Sequence, residues 1–307
     1  MRYLVTGGAG FIGSHTVDEL VRRGHSVVVL DDLSTGKAEN LSGVRSQIEF
    51  VQDSVTNLDA VHRACRGADC VIHLAAQTSV PRSVKDPIET NLVNVNGTLN
   101  VLVAARDANV KRVVFASSCA IYGKTPVLPI DENVPPAPIS PYGASKFMGE
   151  AYGRVFQQVD GLEFVALRYF NVFGPRQDPG SPYSGVLSLF SAAVKEGTQP
   201  TVYGDGEQSR DFVYVRNVAA ANVLASESRT APGRAINIGT GVRTTLNQTL
   251  VLLEKITGRP AKAKYGEARE GDIRDSQADI GLAKDLLAYS PSFGFEEGLK
   301  KTWEWFS

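Results

Sequence analysis

Sulfur and imidazole are scarce in this chain: 307 residues include three cysteines, two methionines and four histidines. Cys65, Cys70 and Cys119 are odd in number and lack the paired spacing of a zinc site or a disulfide framework. Cys70 and Cys119 fall at buried, strand-like runs, and all three read as reduced core residues. His15, His25, His62 and His73 are scattered over helix- and strand-like segments, so no metal site is expected. Charge of one sign is missing as well. Lysine and arginine number 32 against 33 acids, a net charge of −1 that gives no field for nucleic acid or a membrane surface. No apolar run is long enough to span a bilayer, and residues 1–6 enter a strand pattern at once without a leader, so the expected compartment is the cytosol. Internal repeats and low-complexity stretches are absent.

What the chain has in plenty is glycine in telling places. A short apolar strand at 1–6 runs into Thr6-Gly7-Gly8-Ala9-Gly10-Phe11-Ile12-Gly13, and a helical pattern follows to Arg23 and stops at Gly24. Gly7 permits a tight turn, Gly10 lets backbone amides approach a pyrophosphate at the helix N-terminus, and Gly13 allows close packing of helix on strand. The next strand, 25–30, ends in Asp31, where an acid binds the hydroxyls of an adenosine ribose and repels a 2′-phosphate; NAD is therefore favoured over NADP. Further apolar runs at 48–52, 70–75, 112–117 and 162–168 alternate with helical patterns, one of them running from Asp86-Pro87 to about Asp107.

The expected fold class is thus α/β, a doubly wound parallel sheet of the Rossmann kind with a smaller, interleaved substrate-binding domain. Residues 1–174 form the nucleotide-binding domain, with a return to the large sheet near 212–225. Residues 175–307 belong mainly to the substrate domain, and a proline-rich loop at 125–141 precedes a helix that opens with Tyr142-Gly143-Ala144-Ser145-Lys146. A Tyr and a Lys four apart share one helix face, so the ammonium can lower the phenol pKa. A tyrosine with a pKa of about 10 is only about a thousandth phenolate at neutrality, and turning it into a base must recover up to ~4 kcal/mol.

Together these segments resemble the extended short-chain dehydrogenase/reductase family, and within it the UDP-hexose 4-epimerases, over nearly the whole chain. The resemblance rests on the Thr6 to Gly13 fingerprint, on Asp53-Ser54-Val55, His73-Leu74-Ala75-Ala76 and Asn94-Val95-Asn96-Gly97-Thr98, and on Ser117-Ser118-Cys119-Ala120-Ile121-Tyr122-Gly123. It implies a catalytic trio of Ser118, Tyr142 and Lys146. It implies NAD contacts from Gly7, Gly10, Phe11, Ile12 and Gly13, from Asp31 and Asp32, and from Asp53, Ser54 and Val55 beside the adenine. Leu74, Ala75, Ala76, Asn94 and Ser117, Tyr169 and Val172, and the catalytic Tyr142 and Lys146 complete that set.

Substrate contacts implied by the same resemblance are Ser118, Tyr142, Asn171, Val186, Leu187 and Thr201, Tyr203 against the uracil, Arg210 and Arg269 on the diphosphate, and Asp272. Ser276, four after Asp272, would line the pocket beside the sugar C2 group, where its small side chain leaves room for an N-acetyl. Tyr122 reads as core and the tryptophans Trp303 and Trp305 as packing residues. The implied partner is a UDP-sugar, and the implied assembly is a homodimer that pairs helices around 91–106 and 145–157.

Sugar-nucleotide dehydratases of this family carry an Asp-Glu pair where this chain has Cys119 and Ala120, and the decarboxylases carry a Glu there; neither residue can perform that chemistry. A UDP-glucuronate 4-epimerase keeps the same trio and stays open as the alternative, with Arg82 or Arg274 to meet the carboxylate. Non-enzymatic relatives lose the Tyr/Lys pair that is present here. From Asp31 we predict that purified protein releases NAD on acid extraction, without added cofactor. An enzymatic assay that distinguishes the two dinucleotides checks this, and finding mainly NADP overturns the reading of Asp31.

Overall fold

The computed structural model describes residues 1–178, 185–268 and 273–306. Its strands are β1 Arg2–Thr6, β2 Ser26–Asp31, β3 Ile48–Gln52, β4 Cys70–His73, β5 Arg112–Ser118, β6 Glu163–Tyr169, β7 Asn171–Phe173, β8 Thr201–Tyr203, β9 Ser209–Arg210, β10 Phe212–Tyr214, β11 Ala235–Ile238, β12 Thr244–Thr245 and β13 Lys264–Gly266. Its helices are α1 Phe11–Arg22, α2 Leu58–Cys65, α3 Val80–Lys85, α4 Pro87–Asn91, α5 Gly97–Asp107, α6 Pro141–Asp160, α7 Val186–Glu196, α8 Val215–Glu227, α9 Leu246–Thr257, α10 Gly281–Leu287 and α11 Phe295–Phe306. Seven strands form one all-parallel sheet in the order β11-β6-β5-β4-β1-β2-β3. That is the doubly wound order with a seventh strand added beside β6, and the strand order reverses between β1 and β4.

Strand alternation builds a separate core on each face of the sheet. Val5, Val27, Val29, Ile72 and Val114 turn to the side covered by α1 and α8, while Leu4, Val28, Leu30, Val71 and Phe115 turn to the side covered by α2, α5 and α6. A third core holds the smaller domain together around Phe173, Phe190, Phe212, Tyr214 and Leu299.

Four features depart from the sequence expectation. The helix from Pro87 to Asp107 is interrupted by a π-turn at Leu92–Asn96, so Asn94 bulges off the regular helix into a buried position. The segment 212–225 does not return as a strand of the large sheet. Phe212–Tyr214 pairs with β7 outside it, α8 lies on the sheet face beside α1, and the strand that enters the large sheet is Ala235–Ile238. Third, Cys119 is no strand residue: it opens a 3-10 turn at Cys119–Tyr122 and is half-buried, while Cys65 and Cys70 are buried as expected. Trp305, read as a packing residue, is exposed.

Candidate active site

The parallel strands point their C-terminal ends to one edge, where the dinucleotide fingerprint sits. Gly7 has φ +69°, and a Cβ on it would lie 2.7 Å from the amide nitrogen of Ala75. A Cβ on Gly13 would come within 2.0 Å of the Gly7 carbonyl oxygen, so α1 touches the turn in a way only glycine allows. Gly10 caps α1 without a side-chain hydrogen bond, and the first turn holds no acid. The amides of Phe11, Ile12 and Gly13 therefore stand as first-turn donors aimed at whatever occupies the helix end, a cradle that fits a pyrophosphate.

Asp31 ends β2 and is buried; one carboxylate oxygen accepts from the Ala9 amide at 2.9 Å and the other from the Leu33 amide at 2.9 Å. Burial raises its pKa, and those two amides pull against the shift. Asp31 thus braces the glycine turn. Asp32 is exposed and accepts from the Ser34 amide. Asp53 accepts from the Ser54 amide and from Asn57, the Ser54 hydroxyl is bonded to Thr56, and Val55 is buried against Gly97. Leu74 and Ala75 donate their amides to Thr6, and Ala76 follows at the mouth of the turn.

Asn94 is the strut of this edge. Its side chain accepts from the Gln77 amide at 2.7 Å and donates to the Gln77 carbonyl at 2.9 Å and to the Ser145 hydroxyl at 2.9 Å. Ser145 in turn donates to the Tyr142 carbonyl at 2.8 Å, so the π-turn holds the catalytic helix directly. His73 is a second strut, bonded to Thr6 at 2.7 Å and Thr98 at 3.0 Å; burial, with Lys146 nearby, pushes its pKa down to about 3 and keeps it neutral.

Helix α6 begins at the Ser140 cap, whose hydroxyl accepts from the Gly143 amide, with proline at its first position; the Tyr142 amide donates to Ser83 on α3 at 3.1 Å. Ser118 stands at the end of β5, near enough to the Tyr142 phenol to act on its pKa. Burial pushes the phenol up to about 12, and Ser118 pulls the other way. Burial likewise pushes the Lys146 ammonium down to about 7; its Nζ lies 5.0 Å from the Phe115 ring centroid and 5.9 Å from that of Tyr142. Lowering of the phenol pKa by Lys146 is therefore not the dominant effect of the fold itself, because desolvation penalises both charged forms.

Two residues expected to touch cofactor have other partners. The Ser117 hydroxyl donates to Glu150, and the Tyr169 hydroxyl donates to Asn222 at 2.6 Å within the core. Val172 is half-buried between the two domains.

On the substrate side, Asn171 opens β7 and its amide nitrogen donates to the Ser276 hydroxyl at 3.2 Å, joining two residues that are 105 apart in the chain. Arg210 donates to the Ser209 and Arg274 carbonyls, and its charge reaches Cys119, whose thiol burial pushes up to about 12. Tyr203 and Thr201 are exposed on β8, Val186 is half-buried, and Leu187 is buried in the small-domain core as packing. Arg269 and Asp272 lie outside the described residues. Among the described residues no group of acids, histidines and cysteines could hold a metal, and no helix is long and apolar enough to cross a membrane.

Glu150 and Arg168 were passed over by the sequence reading. They form a salt bridge at 2.7 Å with both side chains at most 4% exposed. The signal was present as two charges inside buried runs, Glu150 one turn after Lys146 and Arg168 near the end of β6. Breaking such a pair typically costs about 3–5 kcal/mol, whereas replacing both partners with apolar residues is often neutral.

A family model for the NAD dependent epimerase/dehydratase family matches residues 3–239. The chain belongs to that family. The UDP-glucose 4-epimerase of Mycolicibacterium smegmatis is 40% identical over 310 residues, covering 100% of this chain and 98% of that protein. The structure of the Thermus thermophilus UDP-glucose 4-epimerase in complex with NAD is similar at a TM-score of 0.91 and 41% identity, with 100% of this chain and 99% of that one covered. The UDP-N-acetylglucosamine 4-epimerase of Methanobrevibacter ruminantium, in complex with UDP-N-acetylmuramic acid, matches at a TM-score of 0.95 and 41% identity over 99% of this chain and 97% of that one.

We predict that Tyr142→Phe folds, keeps its NAD and loses two to four orders of magnitude of turnover, the usual weight of a positioned acid-base group. Parallel measurement of NAD content and turnover checks this. Retention of more than about a tenth of wild-type turnover excludes Tyr142 as the base.

Proposed function

We propose that this chain is an NAD-dependent 4-epimerase of UDP-hexoses, acting on UDP-glucose and UDP-galactose and also on UDP-GlcNAc and UDP-GalNAc, in the cytosol. The placement of Ser118 beside the Tyr142 phenol, with Lys146 one turn further along the same helix, is the observation that carries the reading. Three unpaired cysteines suit a reducing compartment. NAD, when bound, takes up and returns the C4 hydride and brings its positive charge to the site. Tyr142 accepts the proton of the 4-hydroxyl, Ser118 relays it, and Tyr142 returns it once the 4-keto sugar presents its other face. Lys146 holds the nicotinamide ribose.

Arg210 and Arg269 grip the diphosphate, where guanidinium forks suit phosphate oxygens, and Tyr203 packs on the uracil. Asn171 meets the substrate phosphate, and Val186, Thr201 and Asp272 complete the nucleotide side, with Leu187 packed in the core behind them. A firm nucleotide grip with few sugar contacts lets the hexose turn over between the two half-reactions.

The UDP-glucuronate alternative is weakened by where its candidate arginines go. Arg82 pairs with Glu89 at 2.7 Å, and Arg274 holds both carboxylate oxygens of Asp205 at 2.9 Å. Those contacts already occupy guanidinium forks that a uronate would need.

We further propose a homodimer. Val84, Ile88 and Leu92 continue at four-residue spacing along the helices before Asn94, and Met148, Val155 and Val159 share one face of the adjoining α6; all six are exposed, Ile88 at 81% and Val159 at 75%. Two such faces from two copies would bury each other. Light scattering should return the dimer mass, and Ile88→Asp combined with Val159→Asp should return the monomer; a monomeric wild type refutes the assembly.

Ser276 is the expected gate for sugar size. It is nearly buried and lies against Asn171, so a larger side chain there would enter the space on the sugar side of Asn171. We predict that Ser276→Tyr lowers turnover of UDP-GalNAc by at least about tenfold through steric exclusion, while that of UDP-galactose stays within about threefold. Resolving the epimers by chromatography or NMR checks both. Equal loss on both sugars, or a wild type confined to the non-acetylated pair, removes Ser276 as the gate.

A further inference from the structure

Behind the trio lies a buried polar cluster that the proton and hydride chemistry leaves unused. Ser117 and Arg168 stand opposite each other in the β5–β6 register, and both turn toward α6. Arg168 donates from Nε to Glu150 Oε1 at 3.0 Å and from Nη2 to Oε2 at 2.7 Å, while Ser117 donates its hydroxyl to Oε1. The other arm of Arg168 donates to the Tyr122 hydroxyl at 2.9 Å, and Tyr122 donates to Asn237 on β11 at 2.7 Å. Glu150 follows Tyr142 by eight residues and Lys146 by four, so all three project from the same side of α6.

We infer that Glu150 and Arg168, extended through Tyr122 to Asn237, are positioning residues for the epimerase reaction: they set the rotation of α6 and thereby the meeting of Tyr142 and Lys146 with Ser118. The inference rests on the assignment of Tyr142 and Ser118 as proton carriers. Packing alone does not set that rotation. Gly149 and Gly153 let the helix lie against Phe115 and Phe164, yet a contact of small residues on ring faces has little directional preference. A two-point guanidinium–carboxylate fork is directional, and one setting of the helix satisfies it. A helix with side chains is about 10–12 Å across, so a turn of ~10° carries a side-chain tip by on the order of 1 Å. Misplacement on that scale can cost about 10²-fold in rate even when the altered residue is remote from the reacting atoms.

The test is the double substitution Glu150→Met with Arg168→Met, which keeps the volume and removes both charges, so that neither is left buried and alone. With thermal midpoint and NAD content close to wild type, kcat for UDP-galactose is expected to fall by about 10²-fold with KM within about threefold. UDP-galactose deuterated at C4 should then show a full primary isotope effect on kcat, because the misaligned chemical step limits turnover. A folded, NAD-containing double variant with kcat within about threefold of wild type overturns the inference, since a purely structural pair would behave in that way. If the double variant does not fold, Tyr122→Phe decides: loss of one hydroxyl from the same chain should lower kcat about tenfold at unchanged KM, and kcat within about twofold of wild type overturns the inference. Failure of the underlying assignment is separable, because it would appear as full activity in Tyr142→Phe while these variants are slow.

Discussion

The close seating of α6 on the sheet is the constraint from which the site follows. Cβ atoms at Gly143, Gly149 and Gly153 would meet the Ala120 carbonyl, the Phe115 ring and the Phe164 ring at 2.7, 2.4 and 2.2 Å. With side chains at those positions the helix would stand off, and Tyr142 and Lys146 would be carried away from the end of β5. The same seating explains why both functional groups are desolvated, the phenol pushed up to about 12 and the ammonium down to about 7. Burial thus weighs against the charged forms of both the tyrosine and the lysine.

Rigidity is distributed unevenly around this helix. On one flank the Asn94 amide ties Gln77, Ser145 and, through it, Tyr142; on the other the Glu150–Arg168 pair ties the two strands that carry Ser118 and Tyr169. The substrate side is different in kind. Tyr203 and Thr201 sit on a three-residue strand paired only with β13, and Arg210 is on a two-residue strand. Under the proposed function, firmly tied catalytic residues together with a nucleotide grip on short strands would suit a reaction in which the sugar must change its face while the nucleotide stays bound.

Most of the large domain was legible because its signals are local. The glycine fingerprint, Asp31 and the apolar runs place β1 to β6 within a residue or two, since buried parallel strands read as continuous apolar stretches. The shared helix face of Tyr142 and Lys146 was legible from their spacing, whereas Ser118 came from the resemblance of its strand-end segment. What was not legible depends on contacts distant in sequence. A π-turn at Leu92–Asn96 has no signature separate from the α-helix around it, and whether Phe212–Tyr214 or Ala235–Ile238 enters the sheet is decided by packing. The partners of Ser117 and Tyr169 were missed for the same reason: a hydroxyl's direction is set by Glu150, 33 residues away, and by Asn222, 53 residues away.

The place of Ser276 has a consequence for how such a pocket can diversify. Its amide is bonded to Ser209, the neighbouring Gln277 carbonyl accepts from Ile130, and Ala278 donates to the buried Asp211, so the main chain here is tied to two other segments, 209–211 and the loop at Ile130. A wall fixed in that way can exchange one side chain for another without shifting. If Ser276 lines the sugar pocket as proposed, changes in accepted sugar could then accumulate one codon at a time, with Tyr142 and Ser118 left as they were.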